Sequence, residues 1–276
     1  MKEILVSAVI PAHNEELHIA NCIDSLLSQS YGNIEIMVVE NGNSIDKTLE
    51  IAKAYEKKYK NVHALTIPGK QRGPGNAWNL GIRKSKGSII VICGADLIYG
   101  KDYVKDGVNY LLSGKSPAIS HNEERCNNPK NLWARAFFYK RRSVDEKGLS
   151  KVFYLVKKDY ILKRPFNPEL GYADDQTIYR TEGTKFPGFD LEIYHTNPAS
   201  LKDTWEHSLW VGRSLDTHPL KVILLLPFFP IYSVYKTIQH LKNDFYSPFI
   251  FFLPFYYSIR YFAYFKEAIK KLVQRV

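Results

Sequence analysis

Short apolar runs alternate along the first hundred residues with stretches in which apolar residues recur every three or four positions. Runs rich in β-branched residues predict strands, and recurrence at three and four predicts helices. The predicted strands are Ile4–Pro11, Ile34–Val39, Val62–Ile67 and Ile89–Cys93, and the predicted helices are Asn14–Gln29, Ser44–Lys58 and Asn76–Lys84. Ser44 is the predicted N-cap of the second helix, with Asp46 in its first turn. This alternation indicates an α/β fold, Rossmann-like, in which helices sandwich a mainly parallel sheet.

The pattern is looser beyond residue 100. Asp102–Leu112 and Leu201–Leu215 have helical spacing, and Lys151–Lys157 is strand-like. Pro165–Gly188 is rich in turn residues and holds a pair of acids. Lys130–Arg142 is basic and aromatic, and as a helix it would suit a lipid headgroup surface, whereas a solvated basic loop fits the same composition.

The C-terminal part of the chain is strongly apolar. Residues 222–235 and 248–259 carry no charge. Each run is shorter than the ~20 residues that a spanning helix usually needs, but snorkelling of Lys236 and Arg260 would lengthen both. Three interpretations remain: a transmembrane hairpin, helices lying in the interface, or packing into the soluble core. We favour insertion as two short membrane helices.

This pattern predicts two parts of the chain. Residues 1–215 form the expected catalytic domain, and residues 216–276 form C-terminal membrane-associated helices, with apolar segments near 222–240 and 246–265.

The charge of the chain is strongly positive and unevenly distributed. The formal net charge is +10 over 276 residues, which indicates anionic partners. Residues 221–276 hold eight Lys/Arg against two acids, which favours membrane lipids. A nucleic-acid partner would explain the charge but not the apolar tail, so no nucleic acid is expected.

The cysteines and the first residues of the sequence indicate the cellular compartment that we expect for the protein. Cys22, Cys93 and Cys126 have no metal-ligand spacing, and so sparse a set is typical of a reducing compartment. The sequence enters a strand-like run directly after Met-Lys-Glu, so we expect its front to stay in the cytoplasm.

Polar residues follow each predicted strand of the first hundred residues. In parallel sheets of this kind ligands bind at the carboxyl ends of the strands. Acids there can hydrogen-bond ribose hydroxyls, and glycines at helix N-termini let the backbone approach phosphates. Asn41-Gly42 alone is more often a simple turn, but the order and spacing of all four segments are more specific. The segments are Pro11–Glu16, Val38–Asp46, Arg72–Asn79 and Gly94–Asp96.

These residues resemble the motifs of glycosyltransferase family 2, whose catalytic domains have the GT-A fold. The resemblance covers roughly residues 5–215. Within the family, the chain resembles dolichyl-phosphate mannose synthase-like and minimal cellulose-synthase-like membrane glycosyltransferases. It rests on Pro11, Asn14, Glu15, Val38, Val39, Glu40, Ser44, Asp46, Gly73, Ala77, Asn79, Gly81 and Asp96. It implies a nucleotide-sugar donor held by Pro11, Asn14, Glu15, Glu40, Asn41, Asp46, Gly73, Asn79 and Asp96.

A divalent cation, Mn²⁺ or Mg²⁺, is the cofactor that the resemblance implies. Asp96 would meet the donor diphosphate through that ion. Gly94 stands where the family has its first metal-site acid, which leaves a single carboxylate. His195 is a possible further ligand, and an ordinary core or surface histidine is the equally weighted alternative.

The acidic pair Asp174-Asp175 matches the family's Glu-Asp pattern. Inverting sugar transfer needs a base on the face opposite the leaving nucleotide. The resemblance assigns this role to Asp175 and the preceding position to Asp174. The alternative is that the acids complement a helix N-terminus.

The acceptor side is expected to contain an aromatic ring and several cations. Trp205–Trp210 resembles the Gln-x-x-Arg-Trp element of cellulose-synthase-like members, with Trp210 as the matching ring and Arg213 as a substitute cation. Arg135 and Arg141 are candidates for the phosphate of a lipid-linked acceptor. Core packing of the tryptophans and a solvated basic loop are the alternatives.

The sequence thus predicts an inverting hexosyltransferase at the cell membrane with its catalytic domain on the cytoplasmic side. GDP-mannose is the favoured donor, followed by UDP-glucose. The expected acceptor is a polyprenyl or dolichyl phosphate or a lipid-linked glycan. The alternative is a non-catalytic member that binds nucleotide sugar or glycan. A nucleotidyltransferase is disfavoured, because Pro11-Ala12-His13-Asn14 is not a Gly-rich Lys/Arg signature.

Overall fold

A computed structural model describes residues 4–68, 73–214 and 219–273. The chain forms two compact units: one contains the chain up to Asn127 together with Lys140–Thr196, and the other contains Asn128–Tyr139 together with the chain from Asn197 onward. The expected boundary at residue 215 stays a prediction, although the compact second unit already begins upstream of it. Leu215, the expected end of one helix, lies outside the described residues.

The first unit contains all the strands of the described chain. They are β1 (Val6–Ala12), β2 (Ile34–Glu40), β3 (Val62–Thr66), β4 (Ile89–Ile92), β5 (Leu97–Tyr99), β6 (Ala118–His121), β7 (Glu123–Cys126), β8 (Lys140–Arg142), β9 (Leu149–Ser150), β10 (Leu155–Lys157), β11 (Phe186–Phe189) and β12 (Ile193–His195).

Helices alternate with these strands and continue to the end of the described chain. They are α1 (Ile19–Leu27), α2 (Thr48–Lys58), α3 (Pro74–Lys84), α4 (Tyr103–Leu112), α5 (Leu132–Phe137), α6 (Lys158–Leu162), α7 (Thr177–Glu182), α8 (Leu201–Ser214), α9 (Pro219–Leu224), α10 (Phe229–Asn243) and α11 (Phe249–Val273), with 3₁₀ turns at Pro168–Gln176 and Leu226–Phe228.

Two sheets are formed by these strands within the described ranges. The larger has eight strands in the order β3-β2-β1-β4-β10-β6-β11-β9, and the smaller has the order β5-β12-β7-β8. Strands β1 to β4 are mutually parallel, and β10 is antiparallel to both of its neighbours. The predicted parallel α/β arrangement is therefore confirmed for the first four strands.

Both faces of the large sheet are buried. In β1, Ala8 and Ile10 belong to one hydrophobic cluster, with α1, α2 and α4, while Val9 belongs to a second cluster, with α3, α6 and α7. Alternate residues of a strand point to opposite faces, so the sheet is covered on both sides. In register, Ala12 pairs with Glu40, which brings the ends of β1 and β2 to the same edge.

Three local expectations were wrong. Helix α1 begins at Ile19, not at Asn14, because Asn14 has a left-handed backbone. Helix α2 begins at Thr48, not near Ser44, because Asp46 Oδ1 accepts the Thr48 N–H at 3.0 Å and fixes the first turn there. The stretch Lys130–Arg142 is a short helix followed by strand β8 rather than one helix, since Phe138 is fully extended.

The expectation of two membrane-spanning C-terminal helices was also wrong. Among the residues that the structure describes, no helix has both the length and the apolar composition to cross a bilayer. Helix α10 has 15 residues, and α11, with 25, carries the charged residues Arg260, Lys266, Glu267, Lys270 and Lys271. The second unit instead packs α8 and α10 against α11.

Candidate active site

The loop after β2 is organised by the carboxylate of Glu40. This side chain is 3% exposed, and its oxygens accept hydrogen bonds from the backbone N–H groups of Gly42 (2.8 Å), Asn43 (3.2 Å) and Ser44 (2.9 Å). Burial alone would raise the pKa of Glu40, but the hydrogen bonds from Ser44, Gly42 and Asn43 hold it below its ordinary value. Glu40 thus fixes the backbone of the loop at the carboxyl end of β2. Its expected contact with the nucleoside stays a prediction.

The loops after β1 and β2 are joined through Asn14. This residue has a left-handed backbone, with φ 57°, and its Oδ1 accepts the Ile45 N–H at 2.9 Å. Asp46 connects the same loops, because its Oδ2 accepts the Glu16 N–H at 3.0 Å. Asn14 and Asp46 therefore both connect the loops after β1 and β2. Pro11 of β1 pairs with Val39 of β2.

The start of α3 lies on the same edge. The Gly73 N–H donates to Asn41 Oδ1 at 2.7 Å, with Gly73 at φ 116°, a conformation that favours glycine. Asn79, on the following turn, exchanges two hydrogen bonds with the backbone of Phe166, at 2.8 and 3.0 Å. The side chains of Asn41 and Asn79 are therefore bonded to the chain's own backbone, and direct donor contacts by them stay predictions.

Acidic side chains converge next to β4. Burial raises the pKa of Glu15 well above its ordinary value, and the nearby charges of Asp96 and Asp46 raise it further. Asp96 Oδ2 lies 3.4 Å from Nε2 of His195, which is positioned by the pairing of β12 with β5. This cluster suits a ligand that brings positive charge or hydrogen-bond donors.

The residues present can hold only part of a cation's coordination shell. Within the described ranges, no group of three or more His, Cys, Asp or Glu could hold a metal ion. A Cβ atom at Gly94 would lie 2.9 Å from Asp96 Oδ1, so a side chain at position 94 would require the Asp96 carboxylate to move. Asp96 and His195 fit a divalent ion only if a ligand supplies the remaining oxygens.

The acidic pair occupies the 3₁₀ turn before α7, and its two members differ in environment. Asp174 Oδ2 accepts the Gly75 N–H at 2.6 Å. Burial raises the pKa of Asp174 to about 6. No described residue donates a hydrogen bond to the buried Oδ1 of Asp175. Burial, followed by the charge of Asp174, raises the pKa of Asp175 to about 7, against the lowering effect of Arg141. Asp175 is thus the better candidate for a base near neutral pH.

The residues of the acceptor side are divided between the two units. In the first unit, Arg141 donates to Glu124, and the two side chains are 41% and 1% exposed. In the second unit, Nε and Nη2 of Arg135 donate hydrogen bonds to the Asp244 carboxylate, at 2.8 and 2.6 Å. Arg213 Nε lies 3.7 Å from the Glu267 carboxylate. Trp210 is 40% exposed on α8. Arg135 is therefore engaged in an internal ion pair, and its role in phosphate binding stays a prediction.

Sequence reasoning missed Glu124. This side chain lies among His121, Tyr154 and Arg141, and its charge also acts on Asp175. The only signal was an acid in a four-residue stretch with strand character, which a surface position explains equally well. The pairing with Arg141 depends on the register of β7 and β8, which becomes visible only in the fold.

Comparisons with known proteins connect this geometry to a family. The sequence pattern described as Glycosyl transferase family 2 matches residues 7–182. An uncharacterized glycosyltransferase of Haemophilus influenzae is 34% identical over 122 residues, which cover 44% of this chain and 48% of that relative. The dolichyl N-acetyl-alpha-D-glucosaminyl phosphate 3-beta-D-2,3-diacetamido-2,3-dideoxy-beta-D-glucuronosyltransferase of Methanococcus voltae is 31% identical over 105 residues, 37% of this chain and 32% of that relative. The matched part of the chain thus spans half or less of the length of these curated relatives.

A solved structure gives the same indication for the fold. The mannosyltransferase PcManGT from Pyrobaculum calidifontis, in complex with GDP-Man and Mn²⁺, superposes with a TM-score of 0.59 at 15% identity, covering 96% of this chain and 88% of that chain. At this level of identity the likeness shows a shared fold alone.

Proposed function

Because the chain belongs to glycosyltransferase family 2, we propose that it is an inverting hexosyltransferase that uses a nucleotide sugar and a lipid-linked acceptor. The observation that carries this proposal is Asp175, a partly buried carboxylate with an unpaired oxygen and a pKa of about 7. Such a group can take a proton from an acceptor hydroxyl near neutral pH.

The proposed reaction has balanced bond changes. An acceptor oxygen attacks the anomeric carbon while the bond from that carbon to the diphosphate breaks. The hydroxyl proton passes to Asp175, and the nucleoside diphosphate leaves with the bonding electrons. A phosphate acceptor that is already ionised would need no base. The environment of Asp175 therefore favours the hydroxyl of a lipid-linked glycan over a polyprenyl phosphate.

The donor is proposed to lie along the edge formed by the loops after β1, β2 and β4. GDP-mannose is our first candidate, since PcManGT shares the fold and was solved with GDP-Man, and UDP-glucose is the second. Asp96 and His195 would hold a divalent ion, Mn²⁺ or Mg²⁺, whose charge would offset that of the diphosphate.

A donor screen tests this function. Purified full-length protein is incubated with a panel of GDP- and UDP-sugars, with and without lipid-linked glycan, and nucleotide release is followed. We expect one donor to give release that depends on the acceptor. Binding of a donor without turnover for any acceptor would instead support the alternative, a non-catalytic binding member, for which Gly94 is the supporting feature.

We also propose that the protein acts at the cytoplasmic face of the cell membrane, bound peripherally through its second unit. In α10 the small polar residues Ser233 and Thr237 are buried, whereas the large apolar residues face outward. This is the reverse of the pattern of a helix on a water-soluble protein. The exposed apolar residues of α10 are Ile231 (71%), Val234 (53%) and Ile238 (51%), together with Tyr232 and Tyr235.

Neighbouring segments of the second unit also expose large apolar residues. Phe228 and Phe251 are 60% and 86% exposed, and Leu224 is 70% exposed. Lys236 and Lys242 lie on the same helix as the outward apolar residues, an arrangement typical of helices at anionic lipid surfaces. The free, buried cysteines Cys22, Cys93 and Cys126 are in keeping with a reducing compartment.

Vesicle sedimentation tests the proposed membrane contact. The double variant Ile231→Asp/Ile238→Asp should lose most of its binding to phosphatidylserine-containing vesicles. Ile45→Asp, which changes a residue that is 94% exposed in the first unit, is the matched control and should bind like the parent protein. Equal binding by the parent and the double variant would exclude α10 as the contact.

A further inference from the structure

Glu124 is a buried carboxylate with partners on three sides. Its Oε1 lies 2.9 Å from His121 Nε2 and accepts the Tyr154 hydroxyl at 3.1 Å, and its Oε2 accepts a hydrogen bond from Arg141. The His121 and Tyr154 rings stack with centroids 3.9 Å apart, and the Tyr103 hydroxyl lies 3.4 Å from His121 Nδ1. This packing fixes the direction of the Glu124 side chain and, through it, that of Arg141.

The same strands contain a second acid–base pair that serves as a comparison. Glu123, which precedes Glu124 in the chain, forms an ion pair with Lys140 at 2.7 Å. The Glu123 side chain is 30% exposed and that of Lys140 is 56% exposed. An exposed pair of this kind is enough to help align β7 with β8. Alignment of the strands therefore does not require a charge as deeply buried as that of Glu124. A buried charge pair is also costly to desolvate, so a gain in stability does not account for the burial of Glu124.

The charges of Arg141 and Glu124 also act on the acidic pair. Asp175 interacts electrostatically with Asp174 on its own turn, with Arg141 on β8 and with Glu124 on β7, and its charge also acts on Tyr154, which precedes β10. Arg141 favours the ionised form of Asp175, while Glu124 and Asp174 oppose it. The cation and its buried counter-charge thus act on one carboxylate in opposite directions.

We propose that Glu124 is a positioning residue, which holds the Arg141 guanidinium in one place so that these two charges together set how readily Asp175 takes and releases a proton. This inference rests on the proposed function, because it assigns Asp175 the role of base. The cation keeps Asp175 available in its ionised form, and the buried anion keeps that cation from making Asp175 too weak a base. His121 and Tyr154 hold Glu124 in place.

The pH dependence of two single variants distinguishes this arrangement from a purely structural one. Glu124→Gln removes a negative charge that raises the pKa of Asp175 and keeps Arg141 in place, so the acidic limb of kcat/KM should move to lower pH by about 0.5–1 unit. Arg141→Gln removes the cation, so that limb should move upward by a similar amount. Arg141→Lys should stay closer to the parent protein, and Glu124→Gln/Arg141→Gln should lie between the two single variants.

Glu123→Gln is the matched control. It removes a charge from the neighbouring ion pair of the same two strands and should leave the pH profile unchanged. Opposite shifts for the two single variants, with none for the control, would support the proposal. Shifts of the acidic limb in the same direction in both single variants would overturn it. Lower rates with an unchanged acidic limb would overturn it as well, because a loss of structure lowers activity without moving the limb in opposite directions in the two variants.

An NMR titration keeps this inference separate from the fate of the proposed function. The side-chain carboxyl carbon of Asp175 is followed in full-length protein labelled with ¹³C-aspartate, with the signal assigned by its absence in Asp175→Asn. The titration midpoint should move in the same opposite directions in Glu124→Gln and Arg141→Gln. If the parent protein transfers no sugar but these shifts occur, the function is wrong and the positioning stands. If sugar is transferred and the midpoint does not move, only the positioning fails.

Discussion

The backbone N–H of Gly75 donates a 2.6 Å hydrogen bond to Oδ2 of Asp174, a residue 99 positions further along the chain. This bond ties the first turn of α3, on the expected donor side, to the turn that contains Asp175. A Cβ atom at Gly75 would lie 2.9 Å from the same oxygen, so glycine permits the close approach. The two adjacent acids therefore have different tasks, because one oxygen of Asp174 is bonded within the fold while no described residue donates a hydrogen bond to Oδ1 of Asp175.

Loss of the Asp174 carboxylate should loosen the start of α3. At a pH below the ordinary pKa of 3.8, where the raised pKa of Asp174 carries no cost, we expect Asp174→Ala to lower the free energy of unfolding by about 1–3 kcal/mol, since the buried Gly75 N–H loses its acceptor. Donor affinity should fall as well, and Asp174→Asn, which keeps an acceptor oxygen, should be milder in both respects. Urea unfolding and calorimetric donor titration measure the two effects. Equal stability of Asp174→Ala and the parent protein would contradict this assignment.

The capping of the β2 loop by Glu40 predicts a pH-dependent stability. The pKa of Glu40 is lower in the folded chain, so its carboxylate stabilises the fold above its ordinary pKa of 4.5, and that contribution is lost as the pH falls through the folded-state value. Glu40→Gln should therefore be less stable at neutral pH by about 1–3 kcal/mol, with a smaller difference in acid. Urea unfolding across the acid range measures this, with the exposed Glu146→Gln as control. A deficit that stays constant with pH would argue against the capping role.

The Arg135–Asp244 pair should contribute to the stability of the second unit rather than to acceptor binding. Both side chains are largely buried, at 21% and 11% exposed, and the guanidinium also lies over the Tyr139 and Tyr246 rings. Arg135→Gln should cost about 2–4 kcal/mol, because it leaves Asp244 without its charged partner. The double variant with Asp244→Asn should recover part of that loss. A large rise in acceptor KM at unchanged stability would restore Arg135 to the acceptor site.

Cation binding should depend on the donor diphosphate. Asp96 and His195 alone are too few ligands, so Mn²⁺ affinity, followed by electron paramagnetic resonance, should be weak without nucleotide and rise by at least ~10-fold with a nucleoside diphosphate. Asp96→Asn should abolish that rise, whereas the exposed Asp159→Asn should not. Tight Mn²⁺ binding in the absence of nucleotide would mean that the chain supplies ligands besides these two.

The framework of the catalytic unit could be predicted because it depends on local patterns. The strands that became β1, β2 and β4 are mainly apolar runs, and a strand buried on both faces needs such a run, whereas β3 lies at the edge of the sheet and is only partly buried. Helix α3 follows equally from its spacing of apolar residues, since Ala77 and Ile82 are buried in the core. These features require no knowledge of distant contacts.

The side-chain network behind Asp175 could not be predicted, because it depends on register and long-range packing. Glu124 meets Arg141 only when β7 and β8 pair, and it meets His121 and Tyr154 only when the two sheets assemble. Glu40 matched a motif position, but the sequence does not show that its oxygens bind the backbone of its own loop. The apolar C-terminal runs predicted membrane helices by composition, whereas helix length and the charges of α11 decide against spanning.

The central claim is that Asp175 is the base of sugar transfer, and the variant Asp175→Asn tests it most directly. With the acceptor and the donor identified by the screen, this variant should lose at least ~100-fold in transfer rate while its donor affinity stays within about 2-fold of the parent protein. It should also be more stable above pH 7 by on the order of 4 kcal/mol, since a carboxylate whose pKa rises from 3.8 to about 7 on folding destabilises the fold as the pH increases. Transfer at the rate of the parent protein, with the same pH profile, would contradict the account.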